Sequence, residues 1–150
     1  KDQLLIRHYD LLMEYVQNSF GYFFSKQGKI SALKKLKLNE GKMEIYETIR
    51  QQIAENPVLL YMKGSPDQPQ CGFSAQVTQV LMACGERFAY IDILSNPEIR
   101  SHLPEVSEWP TFPQLFISGE LVGGCDIVVE MHEAGELESI IKAAVPAKDT

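Results

Sequence analysis

No apolar run in these 150 residues approaches the roughly 20 that a membrane-spanning helix needs, so membrane insertion is not expected. Cysteine is scarce. Cys71, Cys84 and Cys125 are separated by 13 and 41 positions, an odd set without the paired spacing of a zinc site. That argues against a secreted disulfide framework, and a reducing, cytoplasmic compartment fits better. Basic residues are few: 14 Lys/Arg stand against 20 Asp/Glu, a net charge of −6, and no basic patch accompanies the aromatics. General nucleic-acid binding is therefore not expected.

What charge there is lies unevenly. Residues 1–42 hold eight Lys/Arg and four Asp/Glu, net +4, whereas residues 43–150 hold six and sixteen, net −10. The shift divides the chain into an N-terminal extension of uncertain origin, 1–42, helical or mobile, and a domain, 43–150. At 45% hydrophobic overall, the chain has material for one ordinary core. Within the extension, Leu5, Tyr9, Leu12, Val16 and Phe20 recur at helical spacing, and Gly28 and Gly41 bracket a lysine-rich stretch, Lys29 to Lys42, that reads as a linker or short basic helix.

After Met43 helices and strands alternate. The pattern predicts a helix over 44–55 with Tyr46, Ile49 and Ile53 inward, then strands at 57–62 and 88–93 around a helix at 72–84. A short helix near 97–103 precedes a hairpin of strands 112–118 and 120–123 around Gly119, and helices at 126–134 and 136–144 close the domain. The expected architecture is α/β: a four-stranded mixed sheet flanked by helices, its first two strands parallel and its last two antiparallel.

The stretch Lys63 to Ser74 is the most informative. It places Cys71 between a strand and the start of a helix, where unpaired N–H groups and the helix dipole favour a thiolate. Lys63 can bring a cation to the same corner. Ser74 stands where a dithiol redox motif carries its second cysteine, so the site is monothiol. Three other segments bear on it. In Trp109-Pro-Thr-Phe-Pro113 the proline either stiffens a loop or allows a cis Phe112–Pro113 bond that presents the Phe112 backbone to an extended peptide. In Gly123-Gly124-Cys125-Asp126 the glycines permit close approach of a ligand, while Asp126 can cap a helix and, compatibly with that, the free N–H groups there suit a carboxylate. Arg100 either pairs with a surface acid or clamps a ligand carboxylate, and the residues alone favour the former. Cys84 reads as core. His8, His102 and His132 read as solvated.

Lys63-Gly64, Cys71-Gly72-Phe73-Ser74, Trp109 to Pro113 and Gly123 to Asp126, in this order over about a hundred residues, resemble the monothiol glutaredoxins of Cys-Gly-Phe-Ser type. The likeness is greatest to their short, single-domain bacterial members. It implies a thioredoxin-like fold and a glutathione groove. By resemblance, Lys63 and Arg100 contact the glycine carboxylate, the Phe112 backbone pairs with the cysteinyl moiety, and Cys125 and Asp126 hold the γ-glutamyl end. The family also implies a 2Fe–2S cluster bridging a homodimer, with Cys71 and a glutathione from each subunit as ligands, and a role in cluster assembly, storage or transfer. BolA-type proteins and iron–sulfur apoproteins are the implied partners. The alternative is a glutathione-dependent thiol–disulfide oxidoreductase, removing glutathione from mixed disulfides through Cys71, with Cys125 as a resolving thiol. Residues 1–42 lie outside the resemblance.

Overall fold

The computed structural model describes residues 26–146. The chain divides into two compact units between Glu40 and Gly41. Helix α1, Lys26–Glu55, runs through the division, so the first unit's described residues are helical throughout. In the second unit the order is β1 (Val58–Met62), α2 (Gly72–Ala83), β2 (Ala89–Asp92), α3 (Pro97–Ser107), β3 (Gln114–Ile117), β4 (Glu120–Gly123), α4 (Cys125–Glu133) and α5 (Glu136–Ala144).

The four strands form one sheet in the order β2-β1-β3-β4. β1 and β2 are parallel, as the helical connection between them requires, and β1/β3 and β3/β4 are antiparallel. This is the mixed sheet expected from the order of the elements, and the thioredoxin-like arrangement that the resemblance implies. Every residue of β1 is buried, because its alternating side chains serve two cores. Val58, Leu60 and Met62 join Val77 and Leu81 of α2, Val128 of α4, and Leu137 and Ile141 of α5. Leu59 and Tyr61 face the other way, onto Ile49 of α1, Ile99 and Leu103 of α3, and Phe116. Tyr61 meets Phe116 edge to face at 5.7 Å, and its hydroxyl bonds Gln52 Oε1 at 3.0 Å, which gives that polar group a partner. Helices thus cover both faces, and the C-terminal ends of β1 and β2 open toward the loops that build the site.

Several expectations are corrected. The helix does not begin at Glu44: α1 is continuous from Lys26, through the stretch expected to be a linker or short basic helix. A single helical glycine costs only about 1 kcal/mol relative to alanine, too little to break a run of Leu, Lys, Ala and Glu at Gly41. Helix α3 continues past residue 103 to Ser107 although it contains Pro104. Strand β3 starts at Gln114, leaving Phe112 and Pro113 in the loop. The amphipathic stretch 2–24 and His8 lie outside the described residues. No helix among the described residues is long and apolar enough to cross a membrane.

Candidate functional site

Cys71 is the N-cap of α2, with extended backbone (φ −153°, ψ 139°) and its carbonyl accepting the Ala75 N–H at 2.9 Å. Its sulfur makes no capping hydrogen bond, but it is partly exposed beside the free amides of the first turn. The Ser74 N–H does most to lower the Cys71 pKa; partial burial opposes it, and the Phe73 N–H, the Lys63 ammonium and the Ser74 hydroxyl add to the lowering.

The segment joining β1 to this helix is tied down at both ends. Lys63 N–H bonds Ser74 Oγ at 3.1 Å, Gln70 N–H bonds the Lys63 carbonyl at 2.9 Å, and Gly64 N–H bonds Asp92 Oδ1 at 2.9 Å. Ser65 and Gln68 exchange backbone hydrogen bonds at 3.1 and 3.2 Å, closing a compact turn. Gly64 has φ +87°, and a Cβ there would lie 2.4 Å from the Gln68 carbonyl oxygen, so the turn needs glycine.

Opposite Cys71, the Phe112–Pro113 bond is cis. The loop that carries it hangs on fully buried Gln114, whose Nε2 donates to the carbonyls of Trp109 (2.9 Å) and Thr111 (3.0 Å). The Phe112 ring packs into the core, while its backbone N–H and carbonyl have no hydrogen-bond partner among the described residues. That leaves them free for an extended ligand.

The third wall is the start of α4. Gly124, not Asp126, is the N-cap. Asp126 is exposed in the first helical turn and makes no capping bond, which corrects the expectation that it caps the helix. Cys125 is buried, its Sγ donating to Gln76 Oε1 at 3.3 Å. Burial raises its thiol pKa, and Asp126 and Cys71 push it further the same way, so it is the less reactive of the two sulfurs here.

These walls enclose one open cavity of about 790 Å³ lined by Lys63, Cys71, Arg100, Phe112, Cys125 and Asp126, together with Phe73 and Trp109. All six residues singled out from the sequence therefore share one groove. Among the described residues neither Lys63 nor Arg100 has an ion-pair partner, so the surface-pairing alternative for Arg100 is not realised there. Two free cations, one free carboxylate, an unpaired strand-like backbone and an acidified thiol suit a short zwitterionic peptide that carries sulfur.

A sequence model of the family described as Glutaredoxin matches residues 58–122. Glutaredoxin 4 of Escherichia coli (strain K12) is 69% identical over 96 residues, 64% of this chain and 84% of the relative. The chain belongs to the glutaredoxin family. Among solved glutaredoxins, the solution structure of reduced poplar apo GrxS14 is 46% identical, with a TM-score of 0.58 over 65% of this chain and 90% of the other. A crystal structure of a buckwheat glutaredoxin–glutathione complex is 25% identical, with a TM-score of 0.62 over 70% of this chain and 94% of the other. The likeness to bacterial monothiol glutaredoxins holds, Ser74 taking the place of a second motif cysteine.

Sequence reasoning missed four residues that shape this glutaredoxin groove: Gln76, Asp92, Trp109 as an individual side chain, and Gln114. Only Gln114 carried a usable signal, an amide at the head of an apolar strand. Cys84 is core as expected, its pKa raised first by burial and then by Glu138. His102 and His132 are half-buried rather than solvated. His102 bonds the Glu98 carbonyl at 2.8 Å and meets the Tyr46 ring, and His132 Nδ1 lies 4.0 Å from Cys84 Sγ. Neither lines the groove. Among the described residues no group of three or more His, Cys, Asp or Glu is placed to hold a metal ion.

Proposed function

We propose that this protein binds glutathione in the groove and carries a 2Fe–2S cluster as cargo between two subunits, for assembly, storage or transfer. One observation supports the reading above the rest: the subunit offers a single partly exposed, acidified thiol, Cys71, at a peptide-sized groove, with no metal-holding cluster of His, Cys, Asp or Glu among the described residues. A 2Fe–2S cluster commonly takes four terminal thiolates. One subunit supplies one; a glutathione held with its sulfur beside Cys71 supplies a second, and a two-fold pair completes the set. In this reading Lys63 and Arg100 take the glycine carboxylate, the Phe112 backbone pairs with the cysteinyl unit, and the start of α4 at Cys125 and Asp126 takes the γ-glutamyl end. The glutathione complex of the buckwheat relative supports the ligand. Because half the ligands are exchangeable, the cluster can be passed on; apoproteins of iron–sulfur enzymes and BolA-type proteins are the proposed recipients and partners, in a reducing cytoplasm. Residues 43–150 are the proposed functional domain.

Anaerobic reconstitution with iron, sulfide and glutathione tests this. The expected product is a coloured dimer containing two irons, two sulfides and two glutathiones for every two chains. A colourless protein free of iron would overturn it, and so would a cluster retained by Cys71→Ser.

A second reading rests on the acidified thiol itself. The Cys71 thiolate attacks the glutathionyl sulfur of a mixed disulfide, the other thiolate departs, and a second glutathione thiolate then displaces Cys71 and leaves as glutathione disulfide. Turnover of a small glutathionylated disulfide at rates comparable to a dithiol enzyme would favour it over cluster carriage.

A further inference from the structure

Asp92 lies outside the groove lining, yet its carboxylate is fully engaged. Oδ1 accepts the N–H groups of Gly64 and Leu94, each at 2.9 Å, and Oδ2 accepts the Ser95 hydroxyl at 2.7 Å. The backbone that carries it is itself fixed, since the Asp92 main-chain carbonyl accepts Asn96 Nδ2 at 2.9 Å and the N–H of the next residue, Ile93, donates to the Met62 carbonyl at 2.9 Å. Gly64 is buried and cannot be replaced in its turn without a collision, so its N–H has one rigid acceptor.

That N–H belongs to the peptide that follows Lys63. The peptide before Lys63 is held by Ser74 Oγ, and the Lys63 carbonyl by the Gln70 N–H. The lysine therefore springs from a backbone pinned on one side by the thiol-bearing helix and on the other by the edge strand β2. Its ammonium is among the groups that favour the Cys71 thiolate, and it lines the groove.

We propose that Asp92 is a positioning residue for the groove: by holding the Lys63–Gly64 corner, it aims the Lys63 ammonium at the bound tripeptide and at Cys71. The inference deepens the glutathione reading and relies on it for the ligand. Asp92 is absent from the groove lining and bonds the peptide that follows Lys63, so the proposed influence runs through Lys63. Two properties follow. The effect of removing Asp92 vanishes when Lys63 is absent, and an asparagine, which keeps an acceptor for Gly64 and can donate to Ser95, restores it.

The experiment is a double-mutant cycle on the full chain with Asp92→Ala, Lys63→Ala and both, with Asp92→Asn as the conservative variant. Three readouts are taken: calorimetric affinity for reduced glutathione, the rate of Cys71 alkylation by iodoacetamide at neutral pH, and the thermal midpoint. Asp92→Ala should weaken glutathione binding about tenfold, as loss of a well-aimed charged contact does, and should slow alkylation. It should change neither in the Lys63→Ala background, and Asp92→Asn should stay within about twofold of the parent. Equal losses in both backgrounds would overturn the proposal, as would unaltered binding and alkylation beside a lowered midpoint, which marks a purely structural aspartate. If Asp92→Ala does not fold, Ser95→Ala, which frees Oδ2 alone, takes its place in the same cycle. If the parent protein binds no glutathione, the ligand reading falls, and the alkylation cycle still decides whether Asp92 acts through Lys63.

Discussion

Ser74 Oγ accepts the backbone N–H of Lys63 at 3.1 Å, so the residue that replaces a second motif cysteine fastens helix α2 to the end of β1. It also contributes to lowering the Cys71 pKa. Ser74→Ala should therefore do two things at once. It should cost about 1 kcal/mol in urea denaturation, the usual penalty for a lost hydrogen bond of this kind. It should also raise slightly the pH at which Cys71 becomes reactive, because the hydroxyl's share of the lowering is gone while the larger share from the helix amides remains.

The Cys71 pKa is lowered by the Ser74 amide first and by Lys63 among lesser influences. Alkylation rate against pH should therefore show a midpoint below that of an ordinary thiol near 8.5, and Lys63→Ala should move it upward. The sign for stability follows from linkage. A group whose folded pKa is depressed stabilises the fold above its unfolded pKa and loses that contribution as pH falls through the folded value. Denaturation of the reduced protein, compared with Cys71→Ser across this window, should show the difference growing as pH rises.

Gly64→Ala should be among the most damaging small substitutions in the chain. Its φ of +87° disfavours any side chain, and the added carbon would sit 2.4 Å from the Gln68 carbonyl. Backbone strain alone costs about 1–3 kcal/mol, and the turn must open as well. A drop in thermal midpoint together with weaker glutathione binding is the expected result.

Under the proposed cluster carriage, removing glutathione by gel filtration from the reconstituted protein should bleach the cluster and return a dimer to monomer, because each subunit would contribute a single protein thiolate. Size-exclusion chromatography with absorbance detection gives both readings in one run. A coloured dimer that persists without glutathione would show that other ligands hold the metal.

Much of this was legible because local and tertiary signals agree. Val58 to Met62 is apolar throughout and is buried on both faces. Gly119 marks the hairpin, with φ +83°. Cys71 sits at a helix start, where its spacing placed it. What escaped notice depends on partners distant in sequence. Asp92 reaches Gly64 across 28 positions and Gln76 reaches Cys125 across 49, and no periodicity reports such pairs. Asp126 misled because Asp-Ile-Val-Val looks like a capped helix, whereas the helix starts one residue earlier and Gly124 occupies the cap. Gly41 misled for the opposite reason: a weak breaker cannot outweigh strong helix formers on both sides of it.

The three sulfurs differ sharply in access. Cys84 and Cys125 are only 5% and 8% exposed, and both are raised in pKa by burial, whereas Cys71 is more open and acidified. A maleimide fluorophore offered briefly at mildly acidic pH should thus couple at one position in the native chain, with no need to engineer the other thiols away. Tagged there, the molecule becomes its own reporter of whatever docks against that rim.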